Sequence, residues 1–331
     1  MKIVLDDKIP YIREAMTALG VDARYVKGAD ISAADVHDAD ALVVRTRTRC
    51  NRQLLEGSRV KFVATATIGF DHIDTAYLEK AGIGWTNCPG CNAASVAQYM
   101  RSVLLLLESN FRFPLSSATL GVVGCGHVGS LVAEVGRTLG MRVLICDPLI
   151  DNPAYVSMST LEQEADVVSF HVPLTYDGAC PTYHLADAAF FGRLQRRPFI
   201  VNTSRGEVVD NDALLQALGT QVRQAVIDTW EHEPHISLPL LQRVYIGTPH
   251  IAGYSADGKV NADNMVVEAL CRYFHLPQPA PIVPPSLPAD FVYTGNPLQL
   301  YNPLTDSDKL KTHPELFEEL RGNYPLRRET V

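Results

Sequence analysis

Residues 119–136 read TLGVVGCGHVGSLVAEVG. An apolar run leads into Gly124, Gly126 and Gly129, and a helical pattern follows. Each glycine of this GxGxxG spacing has a physical reason. The first permits a tight turn, the second lets backbone approach a pyrophosphate, and the third lets the helix pack closely on the strand. The helix N-terminus offers unpaired N–H groups and the positive end of a dipole to phosphate charge. Alone the spacing is weak, because a plain strand–turn–helix with packing glycines also satisfies it. Here a second strand-like run, RVLICD, ends in Asp147, 18 residues beyond Gly129. That is near the spacing of an acid that hydrogen-bonds ribose hydroxyls. The stretch therefore predicts a βαβ unit that binds a dinucleotide. Asp147 would bond a free 2′-hydroxyl and repel a 2′-phosphate, and no arginine follows at once in CDPLID. NAD is expected rather than NADP.

The same alternation continues outward from this unit. KIVLDD, ALVVR, KFVATAT, GIGWTN, DVVSFHV, FIVNTS, QAVIDTW and VYIGTP are further strand-like runs, with helical patterns between many of them, as over 92–108 and 210–218. Ten strands exceed one simple half-sheet, so the expectation is an α/β protein with two doubly wound parallel-sheet domains. The expected NAD-binding Rossmann domain spans 94–257. A substrate or lid domain spans 1–93 and 258–280, with the helical pattern over 259–275 returning to it. PQPAPIVPPSLP, 277–288, reads as a linker because prolines cannot continue a helix. The tail beyond it is too small to fold alone. It must dock on its own chain or on a partner subunit.

Composition narrows the function classes. The chain has 331 residues and a formal net charge of −8, which argues against broad binding of nucleic acid or acidic membrane. MKIVLDDKIPY carries acids where a signal peptide needs an apolar core. The longest purely aliphatic run, 103–107, is far below a membrane span. A cytoplasmic location is expected. Seven scattered cysteines read as free thiols. Cys88 and Cys91 form CPGC between a strand-like run and a helix, a context that a redox pair would also occupy. No second CxxC or nearby histidine pair completes a zinc site, so no metal is expected.

Three segments beyond the glycine loop carry reactive side chains at expected strand ends. VNTSRGEVVD holds Arg205, AVIDTWEHEP holds Asp228 and Glu233, and TPHIAG holds His250. Ligands of open α/β sheets bind outside the carboxyl ends of strands, so these four residues are expected to face one crevice. Singly, each has an ordinary alternative: a surface ion pair, a solvated acid, a capping aspartate, a packed histidine.

In this order, GCGHVG, NTSRGEVVD, DTWEHEP and TPHIAG resemble the motif set of the NAD-dependent D-2-hydroxyacid dehydrogenases, and the likeness covers most of the chain. The resemblance implies a flavodoxin-like substrate domain and a catalytic set of Arg205, Glu233 and His250. It implies cofactor positions at Gly124, Gly126, His127, Val128, Gly129, Asp147, Val172, Thr203, Ser204, Asp228, Gly253 and Tyr254. The chemistry suits those side chains. His250 can accept a hydroxyl proton, Glu233 can fix its tautomer, and Arg205 can hold a carboxylate with a charge it cannot lose.

VRTRTRCN, TATIGFDHID, GIGWTNCPGCNA, HIAGYSADGK and FEELRGNYPLRRE are similar, more narrowly, to the erythronate-4-phosphate branch of that family, which serves vitamin B6 synthesis. The branch implies a small phosphorylated 2-hydroxy acid as substrate, with Arg45, Thr46 and Thr67 as substrate-binding positions. It also implies that 281–331 is a C-terminal dimerisation region of a homodimer. The chain ends soon after LRRETV, where branch members are expected to continue, so a reduced dimer contact is expected. Position 88 is cysteine where a small residue is expected. From the residues alone, Arg45, Arg47, Arg49 and Arg52 read first as a solvated basic edge, ahead of a phosphate site. Other readings remain: a glycerate- or phosphoglycerate-type dehydrogenase, a non-enzymatic NAD-binding corepressor-like protein, or a thiol redox protein.

Overall fold

Apolar runs become buried parallel strands. The structure, a computed structural model, describes residues 1–330. The chain divides into two units: Met1–Asn92 with Ser255–Ala289, and Ala93–Tyr254 with the chain from Asp290 onward.

The first unit holds β1 (Lys2–Asp6), β2 (Asp22–Val26), β3 (Ala41–Val44), β4 (Phe62–Thr65) and β5 (Gly84–Thr86). Their order is β2-β1-β3-β4-β5, all parallel, which is the flavodoxin-like winding. β3 and β4 are buried at every residue, as expected of central strands covered on both faces. β2 is an eleventh strand that the sequence pattern did not reveal. Its residues DARYV are nowhere fully buried, because it is an edge strand, so no apolar run marks it.

One face of this sheet is covered by the helix Ala256–Phe274, through Ala262, Val266, Val267 and Leu270. The helix begins three residues before the expected 259. Ser255 caps it, its Oγ accepting from the Gly258 N–H at 2.8 Å, so the SADGK of GYSADGK is a cap and first turn. The proline-rich stretch is pinned to this helix: Asn264 donates to the Ile282 carbonyl at 2.9 Å and accepts from its N–H at 2.8 Å.

Asp263 lies in the same helix, 1% exposed, and its Oδ2 accepts the Tyr11 N–H at 3.1 Å. Burial pushes its carboxyl from 3.8 up to about 7, against the pull of that N–H, Lys259 and Arg45. The folded state therefore holds this proton longer than the unfolded chain does. Stability falls as pH rises from about 4 to 7, and the cost is complete above 7. Asp263→Asn mimics the protonated form. At pH 8 it should stabilise the protein by at least about 2 kcal/mol, since each tenfold change in proton affinity is worth about 1.4 kcal/mol. Near pH 4 the gain should vanish. Urea melts at both pH values check this, and equal effects at the two would refute it.

The second unit holds β6 (Thr119–Val123), β7 (Arg142–Cys146), β8 (Val167–Phe170), β9 (Phe199–Asn202), β10 (Gln224–Ile227) and β11 (Ile246–Gly247). Their order is β11-β10-β9-β8-β6-β7, again all parallel. The order reverses between β6 and β8, the switch point at which such sheets bind ligands. The helix Ala93–Phe111 buries Val96, Tyr99, Met100, Val103 and Leu107 against this sheet.

The tail docks on this second unit of its own chain. Tyr301, Leu310 and Phe317 are at most 5% exposed and join its two cores. Each such anchor contributes about 2 kcal/mol of apolar burial. The helix Pro303–Thr312 covers the sheet edge at β11, where the Ser307 hydroxyl accepts the Gly247 N–H at 3.0 Å. An edge donor is thus satisfied rather than left open. Among the described residues, no helix is long and apolar enough to cross a membrane.

Candidate active site

The glycine loop sits at the carboxyl end of β6, beside the switch point. Gly124 has φ +85°, a left-handed conformation that disfavours a side chain. A Cβ there would also lie 2.7 Å from the His171 carbonyl oxygen and from Val172 Cγ1, just past β8. A Cβ on Gly129 would lie 1.9 Å from the Gly124 carbonyl oxygen, so only glycine lets the helix His127–Thr138 pack this closely. Gly126 is its N-cap and has open space around it, with no side chain capping the first turn. Those first-turn N–H groups, with His127 exposed and Val128 half-buried beside them, are placed to meet phosphate.

Asp147 follows β7. Its carboxylate accepts the Cys125 N–H at 2.8 Å and the Leu149 N–H at 3.2 Å, which ties it to the loop. Thr203 and Ser204 follow β9. Asn202, fully buried, shapes that turn by accepting the Ser204 hydroxyl at 2.8 Å and donating to the Arg205 carbonyl at 2.8 Å. Thr203 Oγ1 meets His171 Nδ1 at 3.4 Å, and burial lowers His171 to about 3, so the ring stays neutral. Open backbone at Gly126, an uncapped helix start and an acid at the next strand end together fit a dinucleotide.

Arg205 stands at the start of the turn after β9, its Nη1 donating to the Ser204 carbonyl at 2.9 Å. Glu233 and His250 lie beyond β10 and β11. His250 Nδ1 is 2.8 Å from Glu233 Oε2 and 3.1 Å from Oε1. A carboxylate can only accept, so Nδ1 carries the proton and Nε2 is the nitrogen able to take one. Glu233 also accepts the Trp230 N–H at 3.0 Å and Arg321 Nη1 at 3.3 Å. Burial pushes its carboxyl up, but His250, Arg321 and the Trp230 N–H outweigh that and hold it below the usual range. Glu233 is therefore an anion at neutral pH.

His250 has φ +57°, a left-handed backbone held in place by Asp228. The Asp228 carbonyl accepts the His250 N–H at 2.8 Å. Its Oδ1 accepts Ile251 N–H at 2.8 Å and the Thr248 hydroxyl at 2.6 Å, and its Oδ2 accepts Ala252 N–H at 3.0 Å. Asp228 is 1% exposed, and burial raises its carboxyl above the ordinary range despite these donors. Its carboxylate is thus occupied inside the protein. It shapes the loop that carries Gly253 and Tyr254.

Sequence reasoning missed the supports of this loop. Thr248 links Asp228 to the buried Tyr99 hydroxyl at 2.9 Å. Arg327, from the tail, donates to the Ala252 carbonyl at 2.6 Å and the Ile251 carbonyl at 3.1 Å. The LRRE segment signals kinship in the sequence, and its two arginines were the available clue.

In the first unit, Arg45 and Thr46 follow β3, beside that sheet's own reversal between β1 and β3. Arg45 Nη1 donates to the Lys8 carbonyl at 3.1 Å, while its Nε is buried and unpaired. Thr46 is exposed. Thr67 Oγ1 donates to the Gly69 carbonyl at 2.8 Å and meets Thr65 Oγ1 at 2.7 Å. Cys88 donates to the carbonyls of Thr65 and Ala262, at 3.3 and 3.4 Å. Burial pushes both CPGC thiols up, Cys91 to about 11. Neither is the low-pKa, accessible thiolate of a redox pair. Among the described residues, no cluster of three or more His, Cys, Asp or Glu side chains is arranged to hold a metal ion.

Comparison with known proteins agrees with this geometry. Residues 100–252 match the family described as D-isomer specific 2-hydroxyacid dehydrogenase, NAD binding domain. The chain is similar to D-lactate dehydrogenase of Aquifex aeolicus complexed with NAD and lactic acid, at 26% identity and TM-score 0.69 over 83% of this chain and 96% of that one. It is similar to NAD-bound 3-phosphoglycerate dehydrogenase of Entamoeba histolytica, at 25% identity and TM-score 0.71 over 83% and 95%. Erythronate-4-phosphate dehydrogenase of Bacteroides thetaiotaomicron is 53% identical over 99% of this chain and 97% of its own length. That of Porphyromonas gingivalis is 40% identical over 99% and 94%. With the glycine loop, the Glu233–His250 pair and the tail all inside that full-length match, the chain belongs to the erythronate-4-phosphate dehydrogenase family of D-2-hydroxyacid dehydrogenases.

Proposed function

We propose that this protein oxidises the C2 hydroxyl of 4-phospho-D-erythronate to (R)-3-hydroxy-2-oxo-4-phosphooxybutanoate, with NAD, in pyridoxal 5′-phosphate biosynthesis. The observation that carries the reading is the Glu233–His250 pair, at 2.8 Å, on the same sheet as the glycine loop.

Bound NAD supplies the acceptor for the hydride that leaves C2. The chain's residues do the rest. Arg205 presents a forked cation to the substrate carboxylate and orients C2. His250 Nε2 takes the hydroxyl proton. Glu233 holds the ring through Nδ1 and stabilises the imidazolium that forms. Arg45, Thr46 and Thr67 bind the phosphate. Support for this last assignment is the placement of Arg45 and Thr46 at a switch point, with a guanidinium N–H still unpaired. An unpaired buried donor is costly, and an anion nearby relieves that cost.

The test is purified protein with NAD and 4-phospho-D-erythronate, with unphosphorylated erythronate as control. Turnover confined to the phosphorylated acid is expected. No turnover of either, with NAD bound, would return the protein to other 2-hydroxy acids or to a corepressor-like role. The same proposal includes a cytoplasmic homodimer, supported by the family likeness. Sedimentation at the single-chain mass of 36.4 kDa at micromolar concentration would refute the dimer.

A further inference from the structure

The tail contributes charge to the centre of the second unit. Arg321, from the short helix Phe317–Gly322, places Nη1 3.3 Å from Glu233 Oε2, and its side chain is only 23% exposed. Its other partner is the Tyr254 hydroxyl. Two features fix it there. Phe317, four residues earlier, is 1% exposed in the core. Arg327, six residues later, is clamped by five acceptors: the Ser95, Ile251 and Ala252 carbonyls at 3.4, 3.1 and 2.6 Å, Gln98 Oε1 at 2.9 Å and the Tyr324 hydroxyl at 3.3 Å. Its guanidinium also stacks 3.9 Å over the Tyr301 ring.

We propose that Arg321 is a positioning residue for the Glu233–His250 pair, so that the tail completes the proton-transfer site of its own chain. The inference rests on the reading of His250 as the base. Glu233 Oε2 faces both His250 Nδ1 and Arg321 Nη1, while Oε1 faces the Trp230 N–H. Those three donors fix the plane of the carboxylate, and with it the imidazole.

Arg321→Gln and Arg321→Lys separate this role from mere packing. The Nδ1–H proton resonance of His250, followed by NMR without substrate, should shift or broaden in Arg321→Gln, because the carboxylate that holds it loses one of its three donors. Turnover should fall about tenfold or more as the pair loses its fixed geometry, with the KM for NAD little changed. Arg321→Lys should restore most of both. An unchanged Nδ1–H resonance in Arg321→Gln, or a lysine variant no better than glutamine, makes Arg321 a packing contact and overturns the proposal. The NMR measurement needs no substrate. It therefore decides the role of Arg321 even if wild-type protein fails to oxidise 4-phospho-D-erythronate, a failure that would instead count against the proposed function.

Discussion

His250→Ala is expected to cut turnover by at least about a hundredfold, the low end for loss of a general base, while NAD affinity stays within a few-fold. The structure explains why the two effects separate. Nδ1 is held by Glu233, so the side chain's remaining capacity lies at Nε2. The loop does not depend on the imidazole. Its shape comes from Asp228, which takes the His250, Ile251 and Ala252 N–H groups, and from Arg327, which takes two of its carbonyls. Alanine keeps all of those bonds and tolerates φ +57° slightly less well than histidine. Single-turnover kinetics with an NAD titration check both halves. Turnover within tenfold of wild type would remove His250 from the chemistry. Joint loss of turnover and NAD binding would show instead that the loop had collapsed.

Gly129→Ala should have the largest effect on the cofactor. The added methyl would sit 1.9 Å from the Gly124 carbonyl oxygen, against backbone rather than a movable side chain. Relief requires the first turn of the helix to move off β6, and that turn carries the N–H groups proposed to meet the pyrophosphate. The NAD dissociation constant should rise at least about thirtyfold, equivalent to about 2 kcal/mol. Calorimetric titration measures it directly. An unchanged constant would mean that the helix yields without disturbing the phosphate site. Gly126→Ala is the contrast, since open space surrounds that position in the protein alone. Its methyl would obstruct only an incoming ligand, so binding should weaken with little loss of thermal stability.

The parts of the site legible in the sequence are those built from short chain separations. Gly124 to Gly129 lie within one turn and one helix start. Glu233 and His250 are 17 residues apart and follow adjacent strands, β10 and β11. Strand-end placement alone brings such residues together. What was hidden depends on distant pairing. β2 lacks an apolar run because an edge strand needs none. The three donors gathered by the buried Asp228 carboxylate, from Thr248, Ile251 and Ala252, depend on the path of the following loop and not on spacing. The CPGC resembles a redox pair because spacing says nothing about burial; both thiols are buried and their pKa values are raised.

The sequence by itself determined the two parallel sheets and the dinucleotide loop, because periodicity and strand-end spacing are local properties that survive in one dimension; the pairing roles proposed for Glu233 and His250 came from the family resemblance. It also determined that the tail could not stand alone. Only the tertiary structure decided where the tail goes. Phe317 and Arg327 are held by residues up to 232 positions away, as in the bond from Arg327 to the Ser95 carbonyl. Contacts at that separation are selected by the packing of the whole unit, by which apolar pocket is open and which carbonyls remain unpaired. No spacing along the chain records that choice, and so the arginine beside Glu233 became visible only in the fold.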